Sequence, residues 1–384
     1  MIDDIFDLHT GNITFKNPIA LATMAGITNS AFANEHANRA GLVVIGSFNL
    51  DEKTNDAASK LMARGRDEFI SDNPFGFLKS EIENMGDGNV VAGNVVAVNV
   101  RGTTIEPLLE AAMIARDAGA ILELDAHCRQ EEMVSIGVGE ALMRDIPRLV
   151  DWIGKIKETG VVVSVKIRTN VVDDIVLTRA IESAGADILH VDAMKEGTGA
   201  DLRMIRNIRD STKMFLIGNN SITCFKDAKD MFARGADMIS VARGVLNDPN
   251  IISELVDDIT ALQQATGWYN APKHICGGEG DLRALAFCCL PVKPCAVHNK
   301  IAKLGLSAQE FANMKMEFAR GTMLEPGDNT CFGSLVWCCK LSKPCFLRDG
   351  VMNMIGLSGA EYMRLKKNLA TYILENAKIP VNES

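Results

Sequence analysis

Eight short apolar runs, each followed by a helical pattern or a long connection, recur across the first 270 residues of this 384-residue chain. They are Ile19–Thr23, Leu42–Gly46, Val95–Val100, Ile121–Leu124, Val161–Ile167, Ile188–Val191, Met214–Ile217 and Met238–Val241. All are rich in Val, Ile or Leu, as strands buried on both faces should be. Helical patterns lie between them, over Glu106–Ala118, Glu140–Glu158, Ile175–Ala184 and Lys226–Arg234. Three of these end in Ala-Gly-Ala or Arg-Gly-Ala, where the glycine stops the helix. Eight such units predict an α/β fold, a TIM (β/α)8 barrel. An open doubly wound sheet usually brings a Gly-x-Gly-x-x-Gly turn after its first strand, and this chain has none.

In a barrel of this kind, chemistry sits where strands end and the following loops begin. Those positions hold Met24-Ala25-Gly26, Asn99, Asp125 with Cys128, Lys166 with Arg168, Asp192, Gly218-Asn219-Asn220, and Ala242-Arg243-Gly244. The last two follow strands seven and eight, where backbone N–H groups commonly bind a phosphate. Glycine there permits close backbone approach, and Arg243 supplies positive charge. Cys128 lies in the polar run Asp125-Ala126-His127-Cys128-Arg129-Gln130, which favours a working thiol over a packed one. Lys166 closes a Val-rich strand, a place that faces a barrel mouth more readily than bulk water. His190 and Asp192 are two apart on one strand and share a face. Cys224 has no motif around it and reads as packing.

Several of these segments resemble the tRNA-dihydrouridine synthase family, in that family's order and spacing. They are Ala22-Thr23-Met24-Ala25-Gly26-Ile27-Thr28-Asn29, Cys128 ahead of the Gly137–Met143 run, Val165-Lys166-Ile167-Arg168, the Ile217–Ile222 segment, and Val241-Ala242-Arg243-Gly244. The resemblance implies an FMN-dependent barrel that reduces a uracil ring. It implies that the FMN phosphate lies at Asn219, Asn220 and Ala242-Arg243-Gly244, that Lys166 contacts the isoalloxazine, and that Cys128 donates a proton to the substrate. Met24, Ala25, Gly26, Asn99, Asp125, Asp192 and Gly218 join the expected cofactor pocket. The chain also departs from the family. Asp125-Ala126-His127-Cys128-Arg129 replaces Asn-x-Gly-Cys-Pro, Asp192-Ala193-Met194-Lys195 stands where a His-Gly-Arg motif is usual, and Asn99 replaces a glutamine. The flavin pocket is kept, and the groups that grip a uridine are changed.

Beyond a seam near Asn270-Ala271-Pro272 the composition shifts, dividing a barrel over residues 1–268 from a small Cys-rich, mostly helical domain over 269–384. Eight of the ten cysteines lie between Cys276 and Cys345. They form two copies of one pattern: Cys276 with Cys288, Cys289 and Cys295, then Cys331 with Cys338, Cys339 and Cys345. Each copy reads aromatic-Cys-Cys-x-x-x-Lys-Pro-Cys, followed by Gly-Leu-Ser and a capping box, Ser307 to Glu310 and Ser358 to Glu361. Clustered thiols in a chain without an export signal point to metal before disulfides, hence to a cytoplasmic protein. Four cysteines per copy suit one metal each, two [4Fe–4S] clusters or, alternatively, two Zn2+ ions. The tail resembles the methanogenesis marker domain 9, which implies a methanogen-associated, anaerobic setting.

Charge bears on the partner. Residues 1–270 carry 26 basic and 39 acidic groups, a net of −13, whereas the tail carries 14 and 10, a net of +4. A phosphate-tracking protein usually presents a basic stripe. The acidic barrel therefore counts against tRNA as substrate, although a net charge can hide a local basic face. No apolar run approaches a membrane span. The expectation is an FMN oxidoreductase acting on an unsaturated small-molecule ring, fed by two iron–sulfur centres, with a redox partner protein as a second partner. The alternatives are a zinc-binding regulatory or nucleic-acid-binding protein on an idle barrel, and a tRNA-dihydrouridine synthase.

Overall fold

The computed structural model describes residues 8–86, 94–197 and 199–266, with a few isolated positions beyond 300. The chain divides into two compact units, Leu8–Val256 and a second made of Met1–Asp7 with Asp257–Ser384. The first unit opens with an antiparallel hairpin, β1 (Leu8–Thr10) and β2 (Ile13–Phe15). Phe15 is fully buried, with its ring 5.2 Å from that of Phe215 at the start of a barrel strand. The hairpin thus packs at the end of the barrel away from the loops that follow the strands.

Eight strands then form a closed parallel barrel: β3 (Ile19–Leu21), β4 (Leu42–Asn49), β5 (Val95–Arg101), β6 (Ile121–Asp125), β7 (Val163–Arg168), β8 (Ile188–Asp192), β9 (Phe215–Asn219) and β10 (Met238–Val241). Sequential strands pair, and β10 closes on β3 through Ile239 opposite Ile19 and Val241 opposite Leu21. The eight expected strands are all present. β6, β7, β8 and β9 run one or two residues past their apolar segments, to Asp125, Arg168, Asp192 and Asn219. Polar side chains can end these strands because the barrel interior holds partners for them.

Helices cover the outside. The pattern over Glu140–Glu158 forms two helices, Glu140–Arg144 and Ile146–Glu158. Pro147 has no N–H for a continuous helix, and Asp145 instead caps the second one, accepting from the Arg148 N–H at 3.3 Å. Helix Glu52–Ala63 starts at a capping box between Asp51 and Thr54, and the other Asp51 oxygen accepts from the Thr103 N–H at 2.6 Å. One carboxylate therefore ties the loops after β4 and β5 together. The expected helical, Cys-rich domain, with its cysteines at 276, 288, 289, 295, 331, 338, 339 and 345, lies outside the described residues.

Candidate active site

The inside of the barrel is polar. Asn99, Glu123, Ser164, Lys166, His190 and Ser240 are all at most 2% exposed. Glu123 takes a hydrogen bond from Asn99 Nδ2 at 2.9 Å, another from Ser164 Oγ at 3.0 Å, and a third from His190 Nδ1 at 2.7 Å. His190 Nε2 lies 2.8 Å from Ser240 Oγ, which also accepts from Asn219 Nδ2 at 2.8 Å. One proton arrangement satisfies all of these. His190 is neutral with its proton on Nδ1, Ser240 donates to Nε2, and Glu123 is ionised. Burial alone would raise the Glu123 pKa, but His190, Lys166 and Asn99 hold it down to about 2. Burial lowers the His190 pKa, with the Lys166 charge acting in the same direction and Glu123 opposing it.

Lys166 balances the charge of Glu123, yet its ammonium makes no hydrogen bond or close ion pair among the described residues. A buried ammonium with free donors needs an acceptor from outside the chain. Asn99 Oδ1 and Thr23 Oγ1 are buried without a hydrogen-bond partner. Thr23 just after β3, and Asn99 and Lys166 two residues before the ends of β5 and β7, form a polar floor toward the loop end of the barrel.

Above this floor lies a second network. Arg101, 3% exposed, donates from Nε to Asp125 Oδ2 at 2.7 Å and from Nη1 to Glu68 Oε2 at 2.9 Å. Asp125 Oδ1 accepts from His127 Nδ1 at 2.6 Å and from the backbone N–H groups of His127 and Cys128 at 3.0 and 3.2 Å. Burial would raise the Asp125 pKa, but His127 and Arg101 hold it well below the usual carboxylate range. Both oxygens of Asp125 are committed inside the protein, so its part is to shape the loop after β6. Cys128 packs against Ala57, Ala58, Leu61, Met133 and Val138, and burial pushes its thiol pKa up. Arg101, Glu68, Glu123, Ser164, His127 and Ser240 were absent from the expected site. Polar residues two apart on successive strands, Asn99 with Arg101, Glu123 with Asp125 and Ser164 with Lys166, were the signal for three of them.

On the opposite rim, the loops after β9 and β10 meet. A Cβ at Gly244 would stand 3.0 Å from Ile222 O and 2.9 Å from Val241 Cγ1, so only glycine lets them close. Asn220 and Ser221 have φ of 115° and 53°, left-handed positions that non-glycine residues occupy mainly at turns and ligand clamps. Asn220 Nδ2 donates to Asp192 Oδ1 at 2.7 Å, and Asp192 Oδ2 lies 3.1 Å from Arg168 Nη2. Asp192 thus anchors the turn. The backbone N–H groups of Asn220, Ser221, Arg243 and Gly244 make no hydrogen bond among the described residues, and the Arg243 side chain is exposed beside them. Gly218 is buried under Met231 and Ala236 and serves packing.

Met24 and Ala25 are half-buried in the turn after β3. Gly26 in that turn has φ 72°, and a Cβ there would fall 2.2 Å from the backbone of Asp67 and Glu68. Its role is to let the turn press against the segment that presents Glu68 to Arg101. No group of metal-ligating side chains occurs among the described residues, and the eight tail cysteines are outside them. No helix among the described residues is long and apolar enough to cross a membrane.

Comparison with known proteins places this site in a family. The family described as dihydrouridine synthase (Dus) matches residues 67–275, more than half of the chain. An uncharacterized protein of Methanocaldococcus jannaschii is 54% identical over 112 residues, covering 29% of this chain and 72% of that protein. A protein of Rickettsia conorii described as a probable tRNA-dihydrouridine synthase is 30% identical over 258 residues, covering 64% of this chain and 71% of its own. Among solved structures, the dihydroorotate dehydrogenase of Eimeria tenella in complex with ferulenol superposes with a TM-score of 0.52 at 14% identity, covering 68% of this chain and 86% of that one. That likeness concerns the fold alone. With the match spanning most of the barrel and its mouth, the chain belongs to the dihydrouridine synthase family.

Proposed function

We propose that the protein is an FMN-dependent oxidoreductase that reduces an unsaturated, planar small-molecule ring. The observation that carries this reading is Lys166, 2% exposed at the barrel mouth and without a hydrogen-bond partner among the described residues. An isoalloxazine presents the acceptors that such an ammonium lacks, and its imide edge suits Asn99 Oδ1 and Thr23 Oγ1. The phosphate would be held by the N–H groups of Asn220, Ser221, Arg243 and Gly244, with the Arg243 guanidinium adding charge. Bound FMN supplies a hydride for one carbon of an activated double bond. Lys166 would stabilise negative charge on the reduced ring, and the Cys128 thiol would supply the proton for the neighbouring carbon.

Electrons must reach the flavin, and the chain has no dinucleotide fingerprint. We assign that role to two [4Fe–4S] clusters held by Cys276, Cys288, Cys289 and Cys295 and by Cys331, Cys338, Cys339 and Cys345. A redox partner protein would reload them, in a methanogen-associated pathway in the cytoplasm. The test of the flavin is a titration of apoprotein with FMN, followed by flavin fluorescence. Saturable binding is expected, and Lys166→Met should weaken it about tenfold, or about 1.4 kcal/mol. No binding to the parent chain would overturn the reading. Equal binding by both proteins would remove Lys166 from the cofactor.

A further inference from the structure

The turn after β9 is held in an unfavourable backbone shape by its own side chains and by its neighbours. Asn220 and Ser221 have φ of 115° and 53°, conformations that a non-glycine residue keeps only where its surroundings over-determine them. Both ends of the Asn220 carboxamide are committed: Nδ2 donates to Asp192 Oδ1 at 2.7 Å, and Oδ1 accepts from Ser221 Oγ at 2.6 Å. That side chain serves the turn, and what the turn offers a ligand is backbone N–H. Asp192 is braced as well. Its Oδ2 lies 3.1 Å from Arg168 Nη2, and Arg168 Nε lies 3.8 Å from Glu140 Oε1. Only a carboxylate can accept on both sides in this way, from Asn220 and from Arg168. Glu140 N bonds Cys128 O at 2.9 Å, and a Cβ at Gly139 would fall 2.2 Å from that same oxygen. Alternating charges therefore link the loop after β6, the ends of β7 and β8, and the turn after β9.

We propose that Asp192 is a positioning residue for the cofactor's phosphate, fixing the β9 turn in the backbone shape that leaves the adjacent N–H groups of Asn220 and Ser221 unbonded. The proposal rests on the flavin reading above, which supplies the phosphate. Asn220 acts through its backbone and is not a side-chain ligand. Arg168, held by Glu140, keeps the Asp192 carboxylate in place from the other side. The brace falls where this chain departs from the family's usual motif, at Asp192 of Asp192-Ala193-Met194-Lys195. Removing it should leave the ring-binding part of the pocket intact and let the turn relax.

The test titrates apoprotein of the full chain with FMN and with riboflavin, which differ only in the phosphate, and follows flavin fluorescence. The parent should prefer FMN by about a hundredfold, because charge-assisted hydrogen bonds reach the phosphate. Asp192→Ala should cut that preference about tenfold while riboflavin binds as before, which also shows that the variant is folded. Asn220→Ala should do the same without touching Asp192 or Arg168. Asn220→Gly keeps the N–H and takes a positive φ without strain, so it should hold the FMN preference within about threefold. Adding Asp192→Ala to Asn220→Gly should then change little, since the brace has no strain left to oppose. Equal losses in Asn220→Ala and Asn220→Gly would overturn the proposal, because they would make the side chain a ligand. Full FMN preference in Asp192→Ala, or a parent that binds both flavins equally, would overturn it too. A parent that binds neither flavin would instead overturn the flavin reading, and this proposal with it.

Discussion

Glu123 and His190 show how a charged group can live inside a barrel. Each is paired, each has its remaining atoms bonded, and Lys166 supplies the opposite charge. Both groups have pKa values below their ordinary ones, 4.5 for Glu123 and 6.5 for His190. Between the folded and unfolded values the unfolded chain binds more protons, so stability rises with pH through that window. Full stability is therefore expected above pH 6.5, falling as acid reaches first the His190 window and then the Glu123 window between 4.5 and about 2. Urea midpoints measured from pH 7 to 3 check this, and a midpoint that rises as pH falls would contradict it. Glu123→Gln leaves Lys166 without its counter-charge and should cost about 3 kcal/mol at neutral pH. These residues were hard to read from sequence because each is a single polar side chain within an apolar run. Its meaning depends on three other strands.

At the scale of elements, the eight strands were legible because a strand buried on both faces must be apolar along its length. What ended them was less legible. β6 to β9 extend to Asp125, Arg168, Asp192 and Asn219 because polar partners await them on the neighbouring strands and their loops, a contact that one strand's sequence does not carry. Cys128 and Asp125 were recognisable as candidate site residues, but that Asp125 commits both oxygens to Arg101 and to the loop after β6 shows only in the fold. Gly26 was read as a cofactor position, and the structure gives it a packing role against Asp67 and Glu68. Gly65 offers a control, with φ 78° and open space around its missing Cβ, against φ 72° and a 2.2 Å approach at Gly26. Gly65→Ala should cost only the left-handed backbone penalty, about 1–2 kcal/mol. Gly26→Ala should cost clearly more and also loosen the Glu68–Arg101 pair. Equal losses in thermal unfolding would show that the close approach does not matter.

For the whole molecule, the division of charge, −13 over residues 1–270 and +4 over the tail, accompanies a proposed division of labour. The barrel would reduce the ring and the tail would carry electrons. Four thiolates per site would bring each [4Fe–4S] or zinc centre to a charge of about −2, which would offset the tail's excess. Removing the metal should therefore leave FMN bound but stop the flavin from being reduced through the tail. Anaerobic stopped-flow with dithionite-loaded partner protein would read that loss, and unchanged reduction after Cys288→Ser and Cys338→Ser would contradict it. The central claim, an FMN barrel fed by iron–sulfur centres, is tested most directly by the visible spectrum and metal content of the full chain purified without oxygen. The account predicts flavin bands, a broad shoulder near about 400 nm, and about eight irons per chain. A colourless protein holding two zinc ions would contradict it.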